Sequence, residues 1–306
     1  MINQFYFMGT SNTAGGGFEF DSTHRHFNEG KPTSYLRGEF IKSIYSELPQ
    51  TQEHYSFPGQ FESLLRDNKN HSGVVNISKQ GYGNERIYRK FFDLILDWKG
   101  FDKEHSLFIF EFSDLGRKEF YLNEYDNHII MNWMGSDDNV CNLAKSYYYD
   151  DRDTRLNTNE LIPMFREYRK LFIDNDEQIK IMNRNLVMFV SYLLENDIKF
   201  LISDMPGVIH PTYMDFFNNV HDRFIKFKFN NKSYPGNLMG LVSESKLTIQ
   251  YETSNGYVDY HPSLFANKLI SKMIYNELLD RNIIDGEYYT ISNEINFKEN
   301  LKNKIM

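Results

Sequence analysis

The chain has 306 residues, 41% hydrophobic and 16% aromatic, enough for the core of one large α/β domain. Its formal charge of −8 lacks the basic field that draws proteins onto phosphate backbones, which excludes nucleic acid as the expected partner. Cys141 is the one cysteine, so no internal disulfide or cysteine-based metal site can form, and no apolar run reaches the ~18–20 residues of a membrane span.

The first residues, MINQFYFMGTSN, carry neither a basic stretch nor a long apolar core. No signal peptide is expected, and the fold begins at once. A lone cysteine fits a reducing compartment or an extracellular particle that avoids the residue. Eight prolines and 18 glycines leave little room for a linker, and no fixed-period repeat is present. The simplest organisation is a single domain over 1–306 with an insertion.

Residues 3–8 (NQFYFM) predict a short buried strand that ends in a turn at Gly9. Residues 36–47 carry apolar positions at helical spacing, and 73–78 (GVVNIS) form a β-branched run closed by the turn QGYGN. A helix follows over 84–98, with Asn84 as its expected N-cap. Residues 106–112 (SLFIFEF) predict the next buried strand. From about 123 to 175 the pattern is irregular and rich in Tyr, Asp and Arg, as expected of an insertion with short helices. The longest helical pattern covers 176–196 and leads into a strand at 198–204; a last amphipathic helix covers 264–279. Alternating strands and helices of this kind predict a parallel sheet, with sites at the carboxyl ends of its strands. The polar turns at 9–17, 78–84 and 113–119 would then converge on one edge.

In the first turn, GTSNTAGGG, Ser11 follows a strand and precedes three glycines, so its hydroxyl has little side-chain cover. A serine so placed can act as a nucleophile beside free backbone N–H groups. Alternatively, Ser11 or Thr13 caps a helix and the glycines only make the turn. Near the other end, VDYHPS places Asp259 two residues before His261, just ahead of a helix. A histidine oriented by a carboxylate can activate a serine. The alternative is that both residues simply begin that helix. Arg117 is positioned to hold an anionic group or to pair with Glu119 or Asp114. The remaining histidines show no metal-ligand spacing, and the DDRD run at 150–153 reads as a solvated acidic loop. No metal site is expected.

Together these segments resemble the SGNH/GDSL hydrolase superfamily. GTSNTAGG is similar to its first block, NISKQGYGN to its second, FEFSD to its third and DYHPS to its last. The resemblance implies a three-layer α/β/α fold with a five-stranded parallel sheet of flavodoxin-like type. It further implies a serine esterase in which Ser11 attacks, His261 shuttles the proton and Asp259 orients the imidazole. The N–H groups of Ser11 and Gly81 would hold the oxyanion. Thr10 stands where the family has Asp, and Ser113 where it has an oxyanion-hole Asn. Losing one such donor costs on the order of 10²–10³ in rate. Asn84, close after Gly81, is the next candidate donor and, with Arg117, a candidate substrate contact.

The implied substrates are small esters or acylated glycans, O-acetyl esters of carbohydrate foremost, with no cofactor. Tyr147, Tyr148 and Tyr149 in the insertion suit a sugar-binding wall or a partner surface. The rival expectation is a protein that keeps the fold for binding or structure after its chemistry has weakened. Divergent members occur in bacteriophages, and the Asn- and Lys-rich composition suggests a similar origin. The protein would then work in the cytoplasm of the producing cell or be assembled into a virion.

Overall fold

The computed structural model describes residues 2–10, 13, 56–78, 83–97, 101–112, 117–122, 127–132, 163, 167–168, 170, 174–245, 247, 262 and 264–291. Four strands form one parallel sheet: β1 (Gln4–Met8), β2 (Gly73–Asn76), β3 (Ser106–Glu111) and β6 (Phe200–Asp204), in the order β2-β1-β3-β6. They are the four strands expected from the residues. β3 and β6 are buried at every position, as parallel strands with both faces covered must be, and they pair with Phe110 opposite Ile202. β2 lies at an edge and is only partly covered. The expected count of five is not met among the described residues. Beyond β6, where a fifth strand would pair, there is one isolated parallel bridge, Ile202 to Phe224. The segment leading to that bridge is taken up by short helical turns, Pro211–Tyr213, α4 (Met214–Asn219) and His221–Arg223, which supply no extended backbone.

The described residues fall into two compact units. One comprises Met8–Thr10 and Ile77–Phe224. Its core is a ladder of rings on β3 and just beyond it. Phe108, Phe110 and Phe112 alternate onto one face and stack at 5.8 and 5.5 Å. Helices α2 (Asn84–Asp97) and α3 (Asn175–Glu195) each drive an edge into that ladder: Phe91 meets Phe108 at 5.0 Å, and Phe189 meets Phe110 at 5.3 Å. Such edge-to-face pairs each add about 0.5–1.5 kcal/mol beyond the area they bury.

α3 starts at Asn175, one residue before the expected start at Asp176, and its cap Asp174 accepts the Glu177 N–H at 2.9 Å. Asp174→Ala should cost about 1 kcal/mol of stability, read as a lower urea midpoint at unchanged slope. The same unit holds an unexpected antiparallel hairpin, β4 (Arg117–Leu122) with β5 (Asn127–Asn132). Residues 117–119 are therefore strand, not turn. β5 also falls inside the stretch expected to be irregular with short helices, whose greater part, like the 36–47 helix, lies outside the described residues.

The second unit comprises Met1–Phe7, Ser11–Asn76 and Ile225–Met306. Phe5 and Phe7 of β1 meet Phe61 of α1 (Phe57–Asp67) at 5.2 and 5.6 Å, and Tyr275 of α6 (Leu264–Asp280) lies 6.3 Å from the same ring. The Ser271 hydroxyl donates to the Phe57 carbonyl at 2.8 Å, tying α6 to the start of α1. A hairpin of β7 (Lys226–Phe229) and β8 (Lys232–Pro235) turns through Asn230 and Asn231, both at positive φ (50° and 60°). That is the backbone of a two-residue type I′ turn, which asparagine tolerates. α5 (Leu238–Glu244) follows, capped by Asn237, whose side chain accepts the Gly240 N–H at 2.7 Å.

Candidate functional site

In a parallel sheet the strand ends converge on one edge, where backbone groups are no longer committed to the ladder. At the end of β3, Glu111 is 2% exposed, and at the end of β1 Thr10 is 3% exposed. The Thr10 N–H donates to Glu111 Oε2 at 3.2 Å, and the Thr10 hydroxyl donates to Glu111 Oε1. One carboxylate thus grips the backbone and the side chain of the residue that precedes Ser11. The next strand end is joined to the same place: the Phe112 N–H donates to the Asp204 carbonyl at 3.0 Å, and the Asp204 side chain is buried. The register between β3 and β6 shifts between Phe110 and Glu111, so Glu111 faces Asp204 across a bulge. Bulges of this kind re-aim side chains at sheet ends. Just past β6, Asn183 of α3 is fully buried and accepts the His210 N–H at 2.8 Å, which pins the segment leaving that strand.

A second buried polar group lies at the start of α2. Glu119 of β4 accepts from Arg89 Nε at 3.0 Å and Nη2 at 2.7 Å, and Arg86 Nη1 lies 4.0 Å away. The Glu119 N–H donates to Glu85 at 2.9 Å. The hairpin is therefore clamped to α2 by a forked arginine–carboxylate pair. Glu119, one of the partners expected for Arg117, pairs with Arg89; the Arg117 side chain lies outside the described residues. Nearby, burial and then the Glu85 charge push the Tyr88 hydroxyl far above the usual phenol range, so it stays protonated.

The expected site residues are unevenly covered. Ser11, Gly81, Ser113, Asp259 and His261 lie outside the described residues, as do His24, His26, the Tyr147–Tyr149 run and the acidic run at 150–153. Arg117 contributes the first residue of β4, and its side chain lies outside them. Asn84 is buried, but it is the first residue of α2 and not its cap. The Gly83 carbonyl accepts the Ile87 N–H at 3.3 Å, which puts the capping position at Gly83.

One Asp–His contact occurs elsewhere. Asp102 Oδ2 lies 2.7 Å from His105 Nδ1, and that hydrogen bond holds the Asp102 carboxyl below its usual range. Both side chains are exposed, Asp102 also accepts the Glu104 N–H, and the pair precedes the amino end of β3. It braces a turn at the wrong end of the strand.

Glu111 is the residue that sequence reasoning passed over. Its signal was present: in SLFIFEF it shares a strand face with Leu107 and Ile109, where an unpartnered charge would be costly.

Among the described residues no three His, Cys, Asp or Glu side chains are grouped to hold a metal, and no helix is long and apolar enough to cross a membrane. The class defined by these features is an α/β protein with a four-stranded parallel sheet and a buried polar link between the ends of β1 and β3. Searches against protein-family models, curated proteins and solved structures find no match to the chain.

Proposed function

We propose that the chain is a serine hydrolase of the SGNH/GDSL kind, with that superfamily's flavodoxin-like three-layer fold, cleaving an ester through an acyl-enzyme. One observation supports the reading most. The parallel strands, counted along the chain, lie in the order 2-1-3-4, the flavodoxin-like order whose ligand site is at the switch between the first and third strands. The Thr10–Glu111 link lies at those two strand ends, and Ser11 is the next residue along the chain.

In this reading Ser11 Oγ adds to the ester carbonyl while its proton passes to the His261 imidazole, which Asp259 orients. The N–H groups of Ser11 and Gly81 receive the oxyanion. The C–O bond to the alcohol then breaks, and His261 returns the proton to the leaving oxygen. Water, deprotonated by His261, cleaves the acyl-serine and releases the carboxylic acid. Acylated carbohydrates suit the Tyr-rich 147–149 segment, and O-acetyl esters are the proposed substrates, with the acetyl group passing to Ser11 and the sugar hydroxyl leaving.

A fluorophosphonate probe tests this directly. It should label the full chain at Ser11, with loss of fluoride, and leave Ser11→Ala unlabelled. An unlabelled parent that still binds acylated glycans after Ser11→Ala would favour a binding protein carrying the fold without the chemistry.

A further inference from the structure

We propose that Glu111 is a positioning residue for the Ser11 nucleophile, doing the work that falls to the first-block Asp where this chain has Thr10. The inference rests on the serine-hydrolase reading. It stands on three observations. First, the carboxylate is buried at the end of β3, directly after the apolar run Leu107–Phe110. Burying a carboxylate there is costly unless hydrogen bonds offset its lost hydration, so the partners of Glu111 matter. Second, both of its oxygens accept from one residue, Thr10, through the backbone N–H and through the hydroxyl. A two-point grip of that kind fixes the direction in which the chain leaves β1, which a single bond would not. Third, Glu111 is two residues before Ser113, so the residue that holds Thr10 belongs to the strand leading into the third-block segment. Glu111 holds Thr10, the residue bonded to Ser11, so the proposed effect travels through backbone geometry. A displacement of about 1 Å at a nucleophile costs on the order of 10² in rate.

The test uses the full chain and the rate constant of fluorophosphonate labelling at Ser11, with kcat and KM for p-nitrophenyl acetate. Glu111→Met keeps the length of the side chain and removes both acceptors; labelling and kcat should fall on the order of 10²-fold at nearly unchanged KM. Glu111→Gln should restore the rate to within about tenfold, because its carbonyl can accept the Thr10 N–H while its amide donates to the Thr10 hydroxyl. Thr10→Val, which removes only the hydroxyl, should fall between the two. Partial unfolding would lower the amplitude of labelling, whereas misplacement lowers its rate constant, so the two are read separately.

If the parent itself is not labelled at Ser11, the hydrolase reading fails and this inference fails with it. If the parent is labelled and folded Glu111→Met reacts at the parental rate, only the positioning role is overturned. Glu111→Gln as slow as Glu111→Met would overturn it too, because the hydrogen-bond pattern would then not be what matters. Should Glu111→Met fail to fold, Thr10→Val decides: a parental rate constant rules the role out.

Discussion

Ser11→Ala, His261→Ala and the double variant are expected to hydrolyse p-nitrophenyl acetate at one and the same residual rate, on the order of 10³ or more below the parent. The reason is that the two groups act as a unit: a hydroxyl without its base is a weak nucleophile, and a base without its hydroxyl has nothing to activate. Removing the second member after the first therefore removes nothing further. Measured kcat/KM for the three variants gives the coupling directly. Losses that multiply in the double variant would mean that the two residues contribute independently, and the proposed pair would be abandoned. Far-UV circular dichroism of each variant checks that the rate, and not the fold, has changed.

The largest expected effect on stability lies at Phe189. Its ring touches Tyr88 at 4.6 Å, Phe91 at 5.1 Å, Phe110 at 5.3 Å, Phe92 at 6.1 Å and Phe112 at 6.2 Å, and it is 4% exposed. It is the ring through which α3, α2 and the strand ladder all meet. Phe189→Ala should cost about 3–5 kcal/mol, through lost burial and the cavity left among aromatic rings too rigid to fill it. A domain holds only about 5–15 kcal/mol in total, so melting should fall by roughly 6–20 °C. Phe189→Leu, which leaves a smaller gap, should lose only part of that. A shift under about 1 kcal/mol for the alanine variant would show that α2 and α3 close over the gap.

The strands of the main sheet were legible because burial on both faces leaves an unbroken apolar run, as in SLFIFEF and IKFLISD. The helices α2, α3 and α6 were legible from their period. The mismatches between expectation and fold were of three physical kinds. α1 is short, and its signals are local: Ser56 accepts the Gly59 N–H, Pro58 sits in the first turn, and Phe57, Phe61 and Leu65 recur every four residues. The hairpin β7–β8 announces itself only through alternation in KFKF and the Asn230–Asn231 pair, a weaker cue than Asn-Gly. The fifth strand of the sheet had no residues behind it and came from resemblance alone. At the candidate site, the residues of the turn after β1 point to chemistry, and most of that turn lies outside the described residues. The grip of Glu111 on Thr10 was not legible, because it joins positions 101 apart and no local pattern encodes such a contact.

The hydroxyl of Ser271 bonds the carbonyl of Phe57 across 214 positions of sequence. On a ribosome adding about 5–20 residues per second, α1 emerges roughly 10–40 s before the helix it packs against. During that interval Phe57, Phe61 and Leu65 have no α6 to cover them, although all three are fully buried in the finished fold. The unit built on α2, β3, α3 and β6 draws on one nearly continuous stretch, Ile77–Phe224, and so can condense first during synthesis. Until the last third of the chain arrives, that apolar stripe of α1 can be covered only in part, by β1 and β2, which are made near it.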